Sequence, residues 1–188
     1  MLKLDITKAF DSVSWPFLIE VLQNLGFGQV WRDVISGLLL TSSTRVLFNG
    51  HPESLISHKR GLRQGDPLCS TLFVLVMDVL SQLFSKANEE GLLQPLSSRW
   101  LQHRVSLYAD DVVLFIHPVA EDINIVSDIL HLFGEVSGLF NNNQKSCVYL
   151  IRCHKDNLEA IQHFWPCEIP PLSHYIGCLS SVWDCLNS

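Results

Sequence analysis

Two adjacent carboxylates inside an otherwise apolar run constrain this chain more than any other feature. The run is Leu107-Tyr108-Ala109-Asp110-Asp111-Val112-Val113-Leu114. Its flanks, Arg104 to Tyr108 and Val112 to Ile116, read as the strands of a hairpin with Ala109-Asp110 near the tip, so both acids fall in a tight turn. Like charges side by side against a buried sheet are costly without a counter-charge. Ordinary turn chemistry is the plainer explanation, because Asp is common in turns. A third acid, Asp5, lies in the run Leu2 to Ile6, which reads as a strand with Leu2, Leu4 and Ile6 on one face and Lys3 and Asp5 on the other. Taken alone, Asp5 also fits a solvated acid on an edge strand. Together the three acids, Asp5, Asp110 and Asp111, point to divalent cations, two Mg²⁺ with Mn²⁺ as a substitute, and to phosphoryl transfer.

The rest of the chain mixes strands, hairpins and long helices. Ser14 and Pro16 open a helix that runs to about Leu25, with Phe17, Leu18, Val21, Leu22 and Leu25 as its apolar stripe and Gly26 at its end. A second helix is expected over about 29–40. A hairpin is expected from Thr44–Phe48 and Leu55–His58 around Asn49-Gly50. Further helices are expected over about 67–86, 120–136 and 156–164, a loop over 89–100, and a strand over 146–151. The predicted class is α+β: an antiparallel sheet with helices packed on one face. The tryptophans and remaining aromatics are expected mostly in the core.

Length and composition set limits. The 188 residues suit one domain or one and a fraction, and 47% hydrophobic with 17% charged residues excludes a disordered chain. The formal net charge of −6 is unlike a complete nucleic-acid enzyme, whose phosphate contacts need a basic surface. The six cysteines show no C-x-x-C spacing, which argues against structural zinc and for reduced thiols in an intracellular protein. The apolar stretch from Leu68 to Leu83 is broken by Ser70, Asp78 and Ser81, so it reads as a core helix and not a membrane span.

The segment Arg60-Gly61-Leu62-Arg63-Gln64-Gly65-Asp66-Pro67-Leu68 carries a second kind of signal. Its two glycines permit close approach to a ligand, Gln64 can donate to and accept from a base or sugar, and Arg60 and Arg63 can meet phosphates. It also fits an ordinary loop in which Asp66 caps the helix begun by Pro67.

Three blocks in order, "KLDITKAFDSVSW", "RGLRQGDPL" and "YADD", resemble the first three motif blocks of reverse transcriptases, specifically those of non-LTR (LINE-type) retrotransposons. "SGLFNNNQKS" is similar to the fourth block and "HYIG" to the fifth. The blocks occupy 2–15, 60–68, 107–114, 137–146 and 174–177, so the resemblance treats 1–188 as one partial domain. It implies the palm of a right-hand polymerase with fingers and thumb largely absent. It implies an RNA-directed DNA polymerase that adds a dNTP to a DNA primer 3′-hydroxyl on an RNA template, with nuclear action. It makes Asp5 and Asp110 metal ligands with the Ile6 carbonyl, and Asp111 the accompanying acid. Phe10 falls at the gate against a ribose 2′-hydroxyl. Lys8 and Ala9 offer backbone groups to the triphosphate, Gln64 and Gly65 line the nucleotide pocket, and Lys145 is a proton donor to pyrophosphate. Arg60 and Arg63 are nucleic-acid contacts, and Tyr175 and Gly177 belong to the primer grip.

The chain departs from that pattern at two places. Cys69-Ser70 follows "GDPL" where the family has Ser-Pro, at the start of a helix. Cys178-Leu179 follows "YIG" with one position fewer than the family's residue-Pro-Leu. The alternative to a polymerase domain is an inactive retroelement remnant that serves at most as a binding or interaction module. A palm-fold cyclase or other nucleotidyltransferase is opposed by the Arg63-Gln64-Gly65 block and by the motif order.

Overall fold

The computed structural model describes residues 1–96, 104–108, 111–151 and 169–170. The chain divides into two compact units. The first comprises Met1–Thr7, Leu80–Leu132 and Phe140–Ser188; the second comprises Lys8–Val79 and Phe133–Leu139. The expected helix at 156–164 and the fifth block at 174–177 lie outside the described residues.

The first unit is built on four antiparallel strands: β1 (Leu2–Asp5), β6 (Val105–Tyr108), β7 (Asp111–Leu114) and β8 (Cys147–Val148), ordered β6-β7-β1-β8. The alternation in Leu2–Ile6 works as the sequence predicts. Leu2, Leu4 and Ile6, with Val112, Leu114 and Val148 from the neighbouring strands, are at most 4% exposed. Strand period places Met1, Lys3, Asp5, Asp111, Val113 and Cys147 on the opposite face. That face changes character along its length. Met1, Val113, Phe115 and Tyr149 form an apolar cluster at one end, with Leu96, Cys147 and Ile151 packed on it, and the charged residues stand at the other. Pairing continues past β8, where Met1 and Tyr149 exchange backbone hydrogen bonds of 3.0 and 2.8 Å.

The helices of this unit come from the ends of two long ones, α4 (Pro67–Glu89) and α5 (Ala120–Ser137). Leu80, Phe84 and Ala87, and Ile123, Val126 and Leu130, are the buried stripes at helical spacing. Arg104, immediately before β6, is buried. Its Nε donates to Asn88 Oδ1 (2.8 Å), and its other nitrogens to the carbonyls of Gln94 and Phe115. Burial lowers its pKa, and the nearby Asp122 carboxylate, itself 1% exposed, partly offsets that.

The second unit contains α1 (Ala9–Ser12), α2 (Trp15–Asn24), α3 (Gln29–Leu40), the short strands β2 (Ser43–Thr44), β3 (Leu47–Phe48), β4 (His51–Pro52) and β5 (Ile56–Ser57), and the first part of α4. Helix α2 starts at the expected Ser14 and Pro16, but Ser14 makes no side-chain cap. Its backbone N–H instead donates to Ser137 O at 2.7 Å. Leu18, Val21 and Leu22 are buried as expected, whereas Leu25 is exposed beyond the end of the helix. The helix closes at Gly26, whose N–H donates to Gln23 O while the Phe27 N–H reaches Leu22 O, both at 3.0 Å.

The hairpin around Asn49-Gly50 forms, with both residues at positive φ as a type I′ turn requires. It is an interrupted ladder: Leu47 and Phe48 pair with Pro52 and His51, and Ser43 and Thr44 with Ser57 and Ile56. Helix α4 is intact at its start despite Cys69-Ser70. Asp66 Oδ1 accepts from the N–H groups of Leu68 (2.8 Å) and Cys69 (3.3 Å), with Pro67 at the first helical position. This helix is long and apolar enough by composition to cross a membrane. Its buried residues Leu72, Phe73, Val76, Met77, Leu80 and Phe84 nevertheless keep to one stripe, as in a core helix. Trp15 is in the core as expected; Trp31 is not, at 44% exposed. Trp100 lies outside the described residues.

Candidate active site

The acid-bearing part of the site lies in the first unit, on the charged end of the β1–β7 ladder. Asp5 is the Cα partner of Asp111, and Leu4 of Val112. Residues directly opposite in an antiparallel pair project on the same face with Cβ atoms about 4.5–5.5 Å apart. The first and third sequence blocks therefore put one carboxylate each on a shared face. This corrects the expectation that Asp111 belongs to the turn: it is the first residue of β7, paired in the ladder with both Tyr108 and Asp5. The reason is the register set by the buried Val112 and Leu114, which carries Asp111 onto the opposite face. Asp110 lies outside the described residues.

The counter-charge that two facing carboxylates demand is partly supplied from within the strand. Lys3 Nζ lies 3.0 Å from Asp111 Oδ2, with the two side chains 25% and 34% exposed. It is a diagonal cross-strand pair: Lys3 is opposite Val113, one side-chain step from Asp111 on the same face. Sequence reading placed Lys3 on the Asp5 face but gave it no role. The β1–β7 register, which the sequence left open, is what reveals one.

The backbone of Asp5 is fixed by the fourth block. Its carbonyl accepts from Asn142 N–H at 2.7 Å, and its N–H donates to Ser146 Oγ at 3.3 Å. Ser146 is 2% exposed and its hydroxyl donates to Asn142 O at 2.7 Å, closing the tight turn that carries the exposed Lys145. Ile6 forms an isolated bridge with Asn141, and Thr7 N–H donates to Phe140 O at 2.9 Å. Asn142 and Ser146 are positioning residues that sequence reading missed. Their signal was present as the Asn-rich run and Ser146 within the fourth block.

The second unit holds the remaining block-one and block-two residues. Lys8 is exposed and in the left-handed region (φ 47°), a conformation uncommon outside glycine, and Ala9 is buried behind it. Phe10 is half-buried with its ring stacked on Phe73 of α4, centroids 4.5 Å apart and planes 19° apart. Its carbonyl accepts from Leu62 N–H at 2.6 Å, which fastens block two to block one. Two further bonds do the same: Gly61 N–H to Val13 O at 2.8 Å, and Trp15 Nε1–H to Gly61 O at 2.7 Å.

Gly61 therefore gives close approach to the chain's own backbone and not to a ligand. It sits at φ +87°, and a Cβ there would stand 2.6 Å from Asp11 O. Gly65, at φ +88°, has open space around it. Arg60, Arg63 and Gln64 are exposed and line a cleft of about 830 Å³ together with Asp11, Thr44 and His58. Tyr175 and Gly177 lie outside the described residues.

The donor set fits a hard divalent cation, since carboxylate oxygens are the ligands such ions take. Among the described residues no group of three or more His, Cys, Asp or Glu gathers. The described part of the site is the Asp5–Asp111 pair.

The sequence is also similar to known proteins. The sequence profile described as "Reverse transcriptase (RNA-dependent DNA polymerase)" matches residues 1–176. A Pol polyprotein from the type-1 retrotransposable element R2 of Popillia japonica is 31% identical over 116 residues, 61% of this chain and 18% of that protein. The transposon TX1 uncharacterized 149 kDa protein of Xenopus laevis is 32% identical over 122 residues, 65% of this chain and 9% of that protein. An uncharacterized mitochondrial protein of Arabidopsis thaliana is 43% identical over 67 residues, 35% of this chain and 55% of that protein. The match to this chain spans 18% and 16% of the length of two R2 polyproteins from Popillia japonica.

Proposed function

Since this chain belongs to the reverse transcriptase (RNA-dependent DNA polymerase) family, we propose that 1–188 is the palm-like region of a non-LTR, LINE-type enzyme. It extends a DNA primer with dNTPs on an RNA template. The observation that carries this reading is the in-register pairing of Asp5 with Asp111 on the β1–β7 ladder, which unites the first and third blocks on one face.

Asp5, Asp110 and Asp111, with the Ile6 carbonyl, would hold two Mg²⁺ ions. Such ions neutralise phosphate charge and activate a primer hydroxyl. The residues of the chain do the rest. Phe10, held flat on Phe73, presents a fixed bulk to the sugar and selects deoxyribose by volume. Lys8 and Ala9 give backbone groups to the triphosphate, and Gln64 and Gly65 receive the nucleotide and template. Lys145 protonates the departing pyrophosphate. Arg60 and Arg63 meet template phosphates along the cleft they line, and Tyr175 and Gly177 hold the primer end. No observation favours an inert remnant over this reading.

The test is incorporation of labelled dNTP into a DNA primer on an RNA template with Mg²⁺, run beside Asp5→Asn. Loss of a direct metal ligand should cost more than the tenfold to hundredfold typical of outer-shell partners, so we expect a fall of more than about a hundredfold. Incorporation that survives Asp5→Asn unchanged contradicts the proposal.

A further inference from the structure

We propose that Lys3 is a positioning residue for Asp111, an internal cation that holds this carboxylate and competes with divalent metal for it. The inference rests on the metal-site reading above and deepens it. Three observations support it. Lys3 Nζ is 3.0 Å from Asp111 Oδ2 and both side chains are about two-thirds buried or more, so this is not a freely solvated surface pair. The β1–β7 register puts Lys3, Asp5 and Asp111 on one face, with Asp5 directly opposite Asp111. The next positions along that face carry the apolar side chains of Met1, Val113 and Phe115, and the Met1 ammonium is bonded to the Tyr149 carbonyl at 3.0 Å.

The consequence follows from electrostatics. Without metal, Lys3 relieves the repulsion between Asp5 and Asp111. A divalent ion held by Asp111 would meet the same ammonium, which would repel it and compete for an Asp111 carboxylate oxygen. Lys3 thus leaves Asp5 as the uncommitted acid and Asp111 as the one already engaged, which gives the two carboxylates unequal roles.

The experiment titrates Mn²⁺ into the full chain and follows the free-ion electron paramagnetic resonance signal, for the wild type, Lys3→Met, Lys3→Arg and Asp5→Asn. Metal-free melting temperature and circular dichroism establish that each is folded. Lys3→Met should bind Mn²⁺ about fivefold more tightly, the size expected when one lysine charge near a divalent ion is removed at a solvent-accessible site. It should also melt lower without metal, and Lys3→Arg should behave as the wild type. Unchanged or weaker Mn²⁺ binding in Lys3→Met overturns the proposal, whatever happens to its melting temperature, because a purely structural ion pair moves only the latter. A wild type that binds no Mn²⁺, or binds it as well with Asp5→Asn, sinks the metal-site reading and the role of Lys3 with it.

Discussion

The role proposed for Phe10 depends on what lies under its ring. The ring is stacked on Phe73, and the carbonyl of the same residue is bonded to Leu62 N–H, so ring and backbone are both held in place. A steric selector must be stiff, because a mobile ring swings aside and discriminates against nothing. Phe10→Ala should therefore raise acceptance of rNTP relative to dNTP by about tenfold to a hundredfold, the range that shape differences of a few atoms command in a close-fitting pocket. The check is the ratio of kcat/KM values for matched dNTP and rNTP on one template. An unchanged ratio would remove Phe10 from the sugar's vicinity. Sequence could nominate Phe10 only through the family resemblance; the residue beneath it is 63 positions away and no local pattern names it.

At the scale of elements, the loops carry as much of the construction as the strands. The stretch from Phe10 to Trp15 and the stretch from Gly61 to Leu62 are tied by three hydrogen bonds and by one contact too close for any side chain. Gly61→Ala would combine a left-handed backbone with a 2.6 Å clash against the Asp11 carbonyl. About 1–2 kcal/mol for the conformation and about 1–3 kcal/mol for the overlap give an expected loss of about 2–5 kcal/mol. Urea unfolding of Gly61→Ala and Gly65→Ala side by side reads this, and Gly65→Ala, which meets nothing, should lose only the conformational part.

The elements were legible where period and punctuation were strong: α2, α3, α5, the Asn49-Gly50 turn and the alternating strand Leu2–Asp5 all lie within a few residues of their expected positions. Others were not. The four-residue α1 is too short for any apolar period to show, and β8 shrinks from an expected six residues to Cys147–Val148. Asp111 looked like part of a turn because its neighbour and its charge suggest one, whereas the buried Val112 and Leu114 decide its register. Pairing partners such as Lys3 with Asp111 depend on that register, and a linear sequence does not carry it.

For the whole molecule, charge is the decisive property. A net charge of −6 leaves little long-range attraction for a polyanion, so in the proposed function this chain would hold template and primer through local cations. Arg60 and Arg63, exposed at the cleft, are the cations the proposal assigns to that contact. Binding of an RNA–DNA template-primer should weaken as salt rises, and Arg63→Ala should reduce the slope of log affinity against log salt by about one while weakening all sequences alike. Fluorescence anisotropy over a salt series measures it; a salt-independent affinity would place the nucleic acid elsewhere.

In the proposed function Asp5 and Asp111, which face each other on the β1–β7 ladder, share metal with Asp110. Anomalous X-ray scattering from crystals soaked in Mn²⁺ and a dNTP tests it most directly. Anomalous peaks are expected within coordination distance, about 2.0–2.6 Å, of the Asp5 carboxylate and of at least one oxygen of Asp110 or Asp111. Strong peaks confined to other residues, or none at saturating Mn²⁺, would contradict it.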